Sequence, residues 1–339
     1  MKYVEEDHAK DLHRDLTLRF TDSVPATAVS VDGAGVHWQC AAKRGRQFCS
    51  IACFDVRGPE YLTFFERDSE KLATGRTSSR IDTINAVDDW LQGQQLSQLY
   101  DRFRFVDQTK RTLDSIREDM LAGIPELAEA VAGALQHDIC DLYYLWFRGV
   151  DRSCRISFHG KNEFPDAAFH WDKCELFRFQ ASDRQRLTAV LKRWLCDRAM
   201  PSALRTEFPW LEIGELADYY EQGNPIEGEF IKSWDSLERF YDGMHFPFAP
   251  QVLRLIRQMR QKGYDKSLRA GQSLWSLIVS RSRRHGMRED QPMIAFSFRN
   301  DGMEVYTRID EGTKVSCPEI ECTAEIDALL KRLEAKDID

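Results

Sequence analysis

The densest run of residues able to do chemistry lies between Gln251 and Arg288. It holds ten cations, Arg254, Arg257, Arg260, Lys262, Lys266, Arg269, Arg281, Arg283, Arg284 and Arg288, against one acid, Asp265. The whole chain carries a net charge of −8, so removing the +9 of this stretch leaves −17 for the rest. Asymmetry of that size creates a positive patch that attracts phosphate or carboxylate, and guanidinium forks grip both groups with two donors at once. Arg281, Arg284, His285 and Arg288 stand at offsets of three, four and seven. A helix continuing from Leu274, Trp275 and Ile278 is therefore predicted to align them on one face. The bland alternative is a solvated last helical turn ahead of Gly286, where the macrodipole favours cations.

A second anion candidate is Gly75-Arg76-Thr77-Ser78-Ser79-Arg80. Three hydroxyls and two guanidiniums ahead of a helix starting near Ile81 would form a nest of donors. The stretch lacks the second Gly and the Lys of a phosphate-binding loop, and plain N-capping by Ser79 explains the same residues.

Metal chemistry is not expected. Cys49 and Cys53 share one face of a predicted strand, Cys317 and Cys322 are spaced oddly for a zinc clip, and His37, His159 and His170 lack neighbouring ligands in sequence. No cofactor motif stands out, and the signatures of hydrolases, zinc proteases, nucleotide-binding loops and kinases are missing. The acidic pairs Asp88/Asp89 and Glu227/Glu229 read as solvated, because adjacent helical residues diverge by about 100°. Trp90 and Trp194 belong on apolar helix faces. Phe246 and Phe248, in the Pro-punctuated run His245 to Pro250, are a candidate partner surface.

The elements that must position these groups repeat. Trp90-Leu91 followed by Ser97, Leu99, Phe103, Phe105 and Val106 is echoed about 105 positions later by Trp194-Leu195 with Ser202, Leu204, Phe208, Trp210 and Leu211. Ala328 to Leu333 matches Ala189 to Trp194 in pattern, which gives a third fragment. Each copy pairs strand-like alternation with a closing helix. In the first, Val29, Val31, Val36 and Trp38 flank Asp32-Gly33, and Ile81, Ile84, Val87 and Leu91 mark a helix capped by Ser79. In the second, Ser182 and Gln185 form a capping box and Asp183 stands where the first copy has no acid. In the third, Asn300-Asp301-Gly302 turns a hairpin of Ile294, Phe296, Phe298 against Met303, Val305, Thr307, Ile309. Between copies, helices are predicted from Leu113 to Met120, from Pro125 through Leu127, Val131 and Leu135, over Ile213 to Glu221, over Phe230 to Tyr241 and over Val252 to Met259.

The expected fold is α+β, repeated antiparallel β-meander plus helix units with helical insertions. The expected parts are 1–142, 143–245 and 246–339, the first two with helical extensions and the last joining the basic segment to a hairpin and helix. Across 339 residues, 42% hydrophobic and 30% charged content describe an ordinary globular chain. Nine cysteines without a CxxC read as reduced thiols, and no secretory leader or spanning run is visible, so a cytoplasmic location is expected.

The leading functional expectation is a non-catalytic intracellular binding or adaptor protein. It would meet an anionic ligand, nucleic acid or protein partner through the arginine-rich face. The competing one is a phosphate-directed hydrolase or nuclease whose carboxylates converge only in the fold. An obligate subunit with a covered aromatic face is a third.

Overall fold

Alternation in the first hundred residues builds a five-stranded meander between two helices. The computed structural model describes residues 4–21, 28–32, 38–55, 58–130, 132–137, 143–158, 164–284, 290–309 and 312–338. Helix α1 (Val4–Thr21) precedes strands β1 (Ala28–Asp32), β2 (Trp38–Arg44), β3 (Gln47–Asp55), β4 (Pro59–Arg67) and β5 (Glu70–Thr77), which pair in sequence order. Helix α2 (Arg80–Leu91) closes the unit. Ala9, Leu12, Leu16 and Phe20 recur at three- and four-residue spacing along α1 and are buried in one core with Cys40, Ile51, Phe65 and Trp90. As the sequence predicts, Ser79 caps α2, its Oγ accepting from the Asp82 N–H at 3.2 Å.

Short helices α3 (Leu96–Arg102), α4 (Gln108–Gly123) and α5 (Pro125–Ala130) lead to the next strands. These are β6 (Ala132–His137), β7 (Tyr143–Arg148), β8 (Arg152–Ser157), β9 (Asp166–Trp171) and β10 (Cys174–Gln180), in the sheet order β10-β9-β8-β7-β6. Helix α6 (Arg184–Leu191) follows and runs into one π-helical turn, Lys192–Cys196. Two sequence expectations are corrected here. The helix predicted through Val131 and Leu135 ends at Ala130, and Leu135 lies in β6 paired with Leu145. A short apolar run fits either period, and pairing with β7 decides for strand. The cap of α6 is Asp183 instead of Ser182, its carboxylate accepting from the N–H groups of Gln185 and Arg186 at 2.8 and 3.1 Å.

Helices α7 (Pro201–Glu207), α8 (Leu216–Glu221), α9 (Pro225–Asp242), α10 (Ala249–Gln261) and α11 (Tyr264–Ser267) come next. The third meander is β11 (Arg269–Ser273), β12 (Ser276–Ser280), β13 (Met293–Arg299), β14 (Gly302–Thr307) and β15 (Thr313–Cys317), paired in that order and closed by α12 (Ala324–Glu334). The predicted hairpin forms, with Asn300 and Asp301 at its turn, Arg299 opposite Gly302 and Phe298 opposite Met303.

The fold is thus α+β, with three five-stranded antiparallel sheets among the described residues. The echoed motifs make equivalent local structure. Trp90, Trp194 and Leu333 are all fully buried on the helices that close their meanders. Beyond them, the Phe103 and Val106 N–H groups bond Leu99 and Phe103 at 2.7 and 3.0 Å, while those of Phe208 and Leu211 bond Leu204 and Phe208 at 2.8 and 2.9 Å. Each segment then bridges back to its meander, at Gly75–Val106 and Phe177–Ile213. The chain divides into two compact units, Met1–Ala167 with Gln180–Cys196, and Ala168–Phe179 with Asp197–Asp339.

Candidate functional site

The helix predicted through Arg281, Arg284, His285 and Arg288 does not form. Leu274 and Trp275 make the two-residue turn of the β11–β12 hairpin, and burial of Leu277 and Val279 at period two fixes Ser276–Ser280 as a strand. The cations that follow lie on non-helical chain, and His285 and Arg288 fall outside the described residues.

Most of the predicted cations face acids of the same unit or main-chain carbonyls. Arg257 donates to Glu238 at 2.7 Å, and Arg260 is shared by Asp235, Glu238 and Asp265 at 2.8, 3.0 and 3.2 Å. Lys262 meets Asp327 at 2.9 Å. Arg281 donates to the carbonyls of Lys336 and Ser267 at 2.7 and 2.6 Å. Arg254 and Lys266 are exposed. In the Gly75 to Arg80 stretch, Thr77 Oγ1 accepts from the Ser79 N–H, Ser78 is exposed, and Arg80 pairs with Asp11 and Asp15 at 3.1 and 3.2 Å. Arg76 stands 3.8 Å from Glu60.

Phe246 and Phe248 stack on each other with centroids 5.5 Å apart, and Phe246 meets the edge of Trp275 at 4.4 Å. Phe248 also packs against the core of the second unit.

A buried polar network joins the β9–β10 turn, α8, α9 and the chain after β12. Asp172 and Lys173 form that turn with left-handed φ of 45° and 67°, as two-residue hairpins require. Glu229 of α9 is 6% exposed. Its carboxylate accepts from Arg283 at 2.8 to 3.2 Å and from the Tyr220 hydroxyl. Arg283 also reaches Asp172 at 2.6 Å, and Arg284 reaches Asp172 at 3.0 Å. Burial lowers the Arg283 pKa, but the bond to Glu229 and the charges of Glu229, Tyr220 and Asp172 together outweigh this and hold the guanidinium above its ordinary value. Burial and the bond to Glu229 together push the Tyr220 hydroxyl up. The reading of Glu227/Glu229 and Asp88/Asp89 as solvated pairs is therefore corrected for one member of each. Asp88 is 3% exposed and accepts from Arg19 and Gln92 at 2.8 and 2.7 Å.

Partial burial raises the Asp172 carboxyl, yet Arg284 and Arg283 bring it below the ordinary carboxylate value. A lowered native pKa stabilises fully above the unfolded value and loses that contribution as pH falls through the native one. The unfolding midpoints of wild type and Asp172→Asn should thus differ by a steady amount from about pH 7 to about pH 5 and converge below about pH 4. A gap that does not narrow at all as pH falls below about 4 would place the effect outside this charge.

Beside the network lies a cleft of about 680 Å³. Its walls are Lys173, Cys174 and Glu175, Leu216 of α8, the face of α9 carrying Glu229, Lys232, Ser233, Ser236, Leu237 and Phe240, residues Arg269, Ala270, Gly271 and Gln272 of β11, and Arg284. Two contacts orient it. Ser233 Oγ accepts from the Ala270 N–H at 2.9 Å, and Tyr241 donates to the Trp275 carbonyl at 3.0 Å, so α9 and β11 run the same way. Glu229, Arg269 and Arg284 therefore mark a charged end, and Leu237, Phe240 and Gln272 the other.

Arg269 is half-buried, donates through Nη1 to the Arg283 carbonyl at 2.8 Å, and holds its buried Nε–H without an acceptor among the described residues. Burial pulls its pKa down, against the raising effect of Glu229 and Cys174. Sequence placed Arg269 in the basic run. It had no signal for Lys173, Cys174, Glu175 or Lys232, which reach the cleft from other elements.

The described cysteines carry no disulfide, and burial pushes the thiols of Cys40 and Cys53 up to about 12, far from nucleophile range. Cys140 lies outside the described residues. Among the described residues, no three His, Cys, Asp or Glu side chains converge to hold a metal ion, and no helix is long and apolar enough to cross a membrane. The chain matches no family model, and neither a curated protein nor a solved structure matches it significantly.

Proposed function

We propose that the chain is a non-catalytic binding or adaptor protein of the cytoplasm, and that it receives an anionic group in the cleft between α9 and β11. The observation that carries this reading is Arg269, a half-buried guanidinium that lines the cleft and whose one hydrogen bond among the described residues goes to a neutral carbonyl. A guanidinium bonded only to a neutral group has donors to spare, and an anion in the cleft would meet it through charge-assisted bonds. Lys173 and Lys232 add positive field around the same cleft, opposed in part by Glu175 and Glu229 of its lining. A phosphate of nucleic acid and a carboxylate of a protein both meet that demand. Arg269 and Arg284 belong to the arginine-rich set that the sequence favoured, and the emphasis moves to them from Arg281 and Arg283, which are engaged by carbonyls and acids of their own unit. The free cysteines among the described residues fit a reducing compartment.

The hydrolase or nuclease reading needs a carboxylate free to activate water. Asp172 and Glu229, the acids nearest the arginines, are both held by guanidinium donors, which favours binding over catalysis.

Calorimetric titration with inorganic phosphate and with acetate at low ionic strength tests the proposal. Binding should weaken about tenfold in Arg269→Met and fall with added salt. Absence of binding by either anion at millimolar concentration would end the reading.

A further inference from the structure

The outward face of the second sheet departs from its counterpart in the first. The closing indoles fix the correspondence, because Trp90 donates to the Phe48 carbonyl and Trp194 to that of Ser153. Phe48 pairs with Lys43 and Ser153 with Arg148, so residues 39–52 of β2 and β3 align with 144–157 of β7 and β8. The inward positions agree in kind, Cys49 and Ile51 against Cys154 and Ile156, all fully buried. The outward ones do not. Where the first copy has Gln39, Ala41, Lys43 and Ser50, the second has Tyr144, Trp146, Arg148 and Arg155. The first copy closes its meander with small and polar groups on that face, so the sheet itself does not require two aromatic rings and two guanidiniums there.

These side chains make one platform within the first unit. Tyr144 and Trp146 share a face of β7 and meet edge-on with centroids 6.0 Å apart. The Arg148 guanidinium lies over the Trp146 ring at 4.3 Å, and Arg155 is the partner of Trp146 across the β7–β8 ladder. Arg148 is exposed and the other three are partly so. The remaining outward positions of these two strands are Ser153 and Ser157, so no acid stands on their face. Arg148 and Arg155 form no ion pair among the described residues.

We infer that the outward face of β7 and β8 binds single-stranded nucleic acid, its bases stacking on Tyr144 and Trp146 and its phosphates meeting Arg148 and Arg155. This site goes beyond the cleft of the second unit and shares no residue with it. Two cations without an acid call for a polyanion. Two adjacent rings call for a polyanion that carries planar groups, and every base offers a π-face whatever its sequence. A duplex hides those faces in its own stack, whereas unpaired bases are free to splay onto a sheet.

The probes are fluorescein-labelled oligo(U) and oligo(dT) of about ten nucleotides, titrated with the full chain at low ionic strength and read by anisotropy. Both strands should bind, and an unlabelled duplex of the same length should compete about tenfold less well than an unlabelled single strand. Trp146→Ala with Arg155→Ser installs what the first copy carries at Ala41 and Ser50, and should weaken binding about a hundredfold. Arg148→Glu, at an exposed position, should weaken it at least about tenfold without moving the unfolding temperature. No binding of either strand, equal competition by duplex, or unchanged affinity in Arg148→Glu overturns the inference. Arg269→Met should bind both strands as the wild type does. Loss of oligonucleotide binding in that variant would assign the contact to the cleft, which overturns this inference and leaves the proposed function standing.

Discussion

Glu229→Ala is expected to destabilise the second unit by about 2–3 kcal/mol, because Arg283 loses its buried carboxylate and keeps only the half-exposed Asp172. The Arg283 side chain is 20% exposed and that of Glu229 5%, so water is poorly placed to replace the lost carboxylate. Tyr220 loses its acceptor in the same step, and an orphaned hydroxyl adds to the cost. Urea denaturation measures the effect as a lower midpoint at unchanged slope. The pair itself need not be a net stabiliser, since replacing both ions by apolar groups of similar volume is often neutral or favourable. Glu229→Leu with Arg283→Met should therefore recover most of the loss. A single-variant effect under about 1 kcal/mol would mean that solvent reaches the network, contrary to the burial described.

Trp90→Ala should cost about 3–5 kcal/mol, the range for a large aromatic removed from a packed core. The indole is fully buried, meets Phe65 edge-on at 6.0 Å and lies under the Arg67 guanidinium at 4.9 Å. Its Nε1–H also donates to the carbonyls of Phe48 and Glu66 at 3.2 and 3.1 Å. These carbonyls belong to neighbouring strands, so the helix side chain links β3 to β4. Trp90→Phe separates the two contributions. It keeps most of the apolar volume and should cost about 1–3 kcal/mol for the lost donor. Thermal unfolding of both variants checks the pair: equal losses would show that the lost donor dominates, and no loss in Trp90→Phe would show that packing alone matters.

The repeated architecture was legible because its signals are local. Trp90-Leu91 and Trp194-Leu195 sit on helices with buried faces, Ser79 caps α2, and Asn300 to Gly302 supplies the φ freedom a hairpin needs, with φ of 136° at Gly302. The β11–β12 hairpin was illegible for the converse reason. Its turn is Leu274-Trp275, with Leu274 at φ 54°, and neither residue announces a left-handed turn. Leu274, Ile278, Arg281 and Arg288 also fit helical spacing, so the period pointed to the wrong element until the partner strand was known. The candidate site was hidden more deeply. Glu229 reads as a surface acid in sequence, and its burial depends on Tyr220 and Arg283, 9 and 54 positions away.

One property of the sheets bears on how the chain reaches its native state. In all three sheets each described strand pairs with its neighbour in sequence, so the contacts close short loops. Local pairing of this kind speeds folding. Copies built alike also invite a strand of one to dock in another, the characteristic misassembly of repeat proteins. The helix position that differs between copies, indole at residues 90 and 194 and isobutyl at 333, gives the third sheet a differently shaped partner and so helps the third meander to close on its own helix.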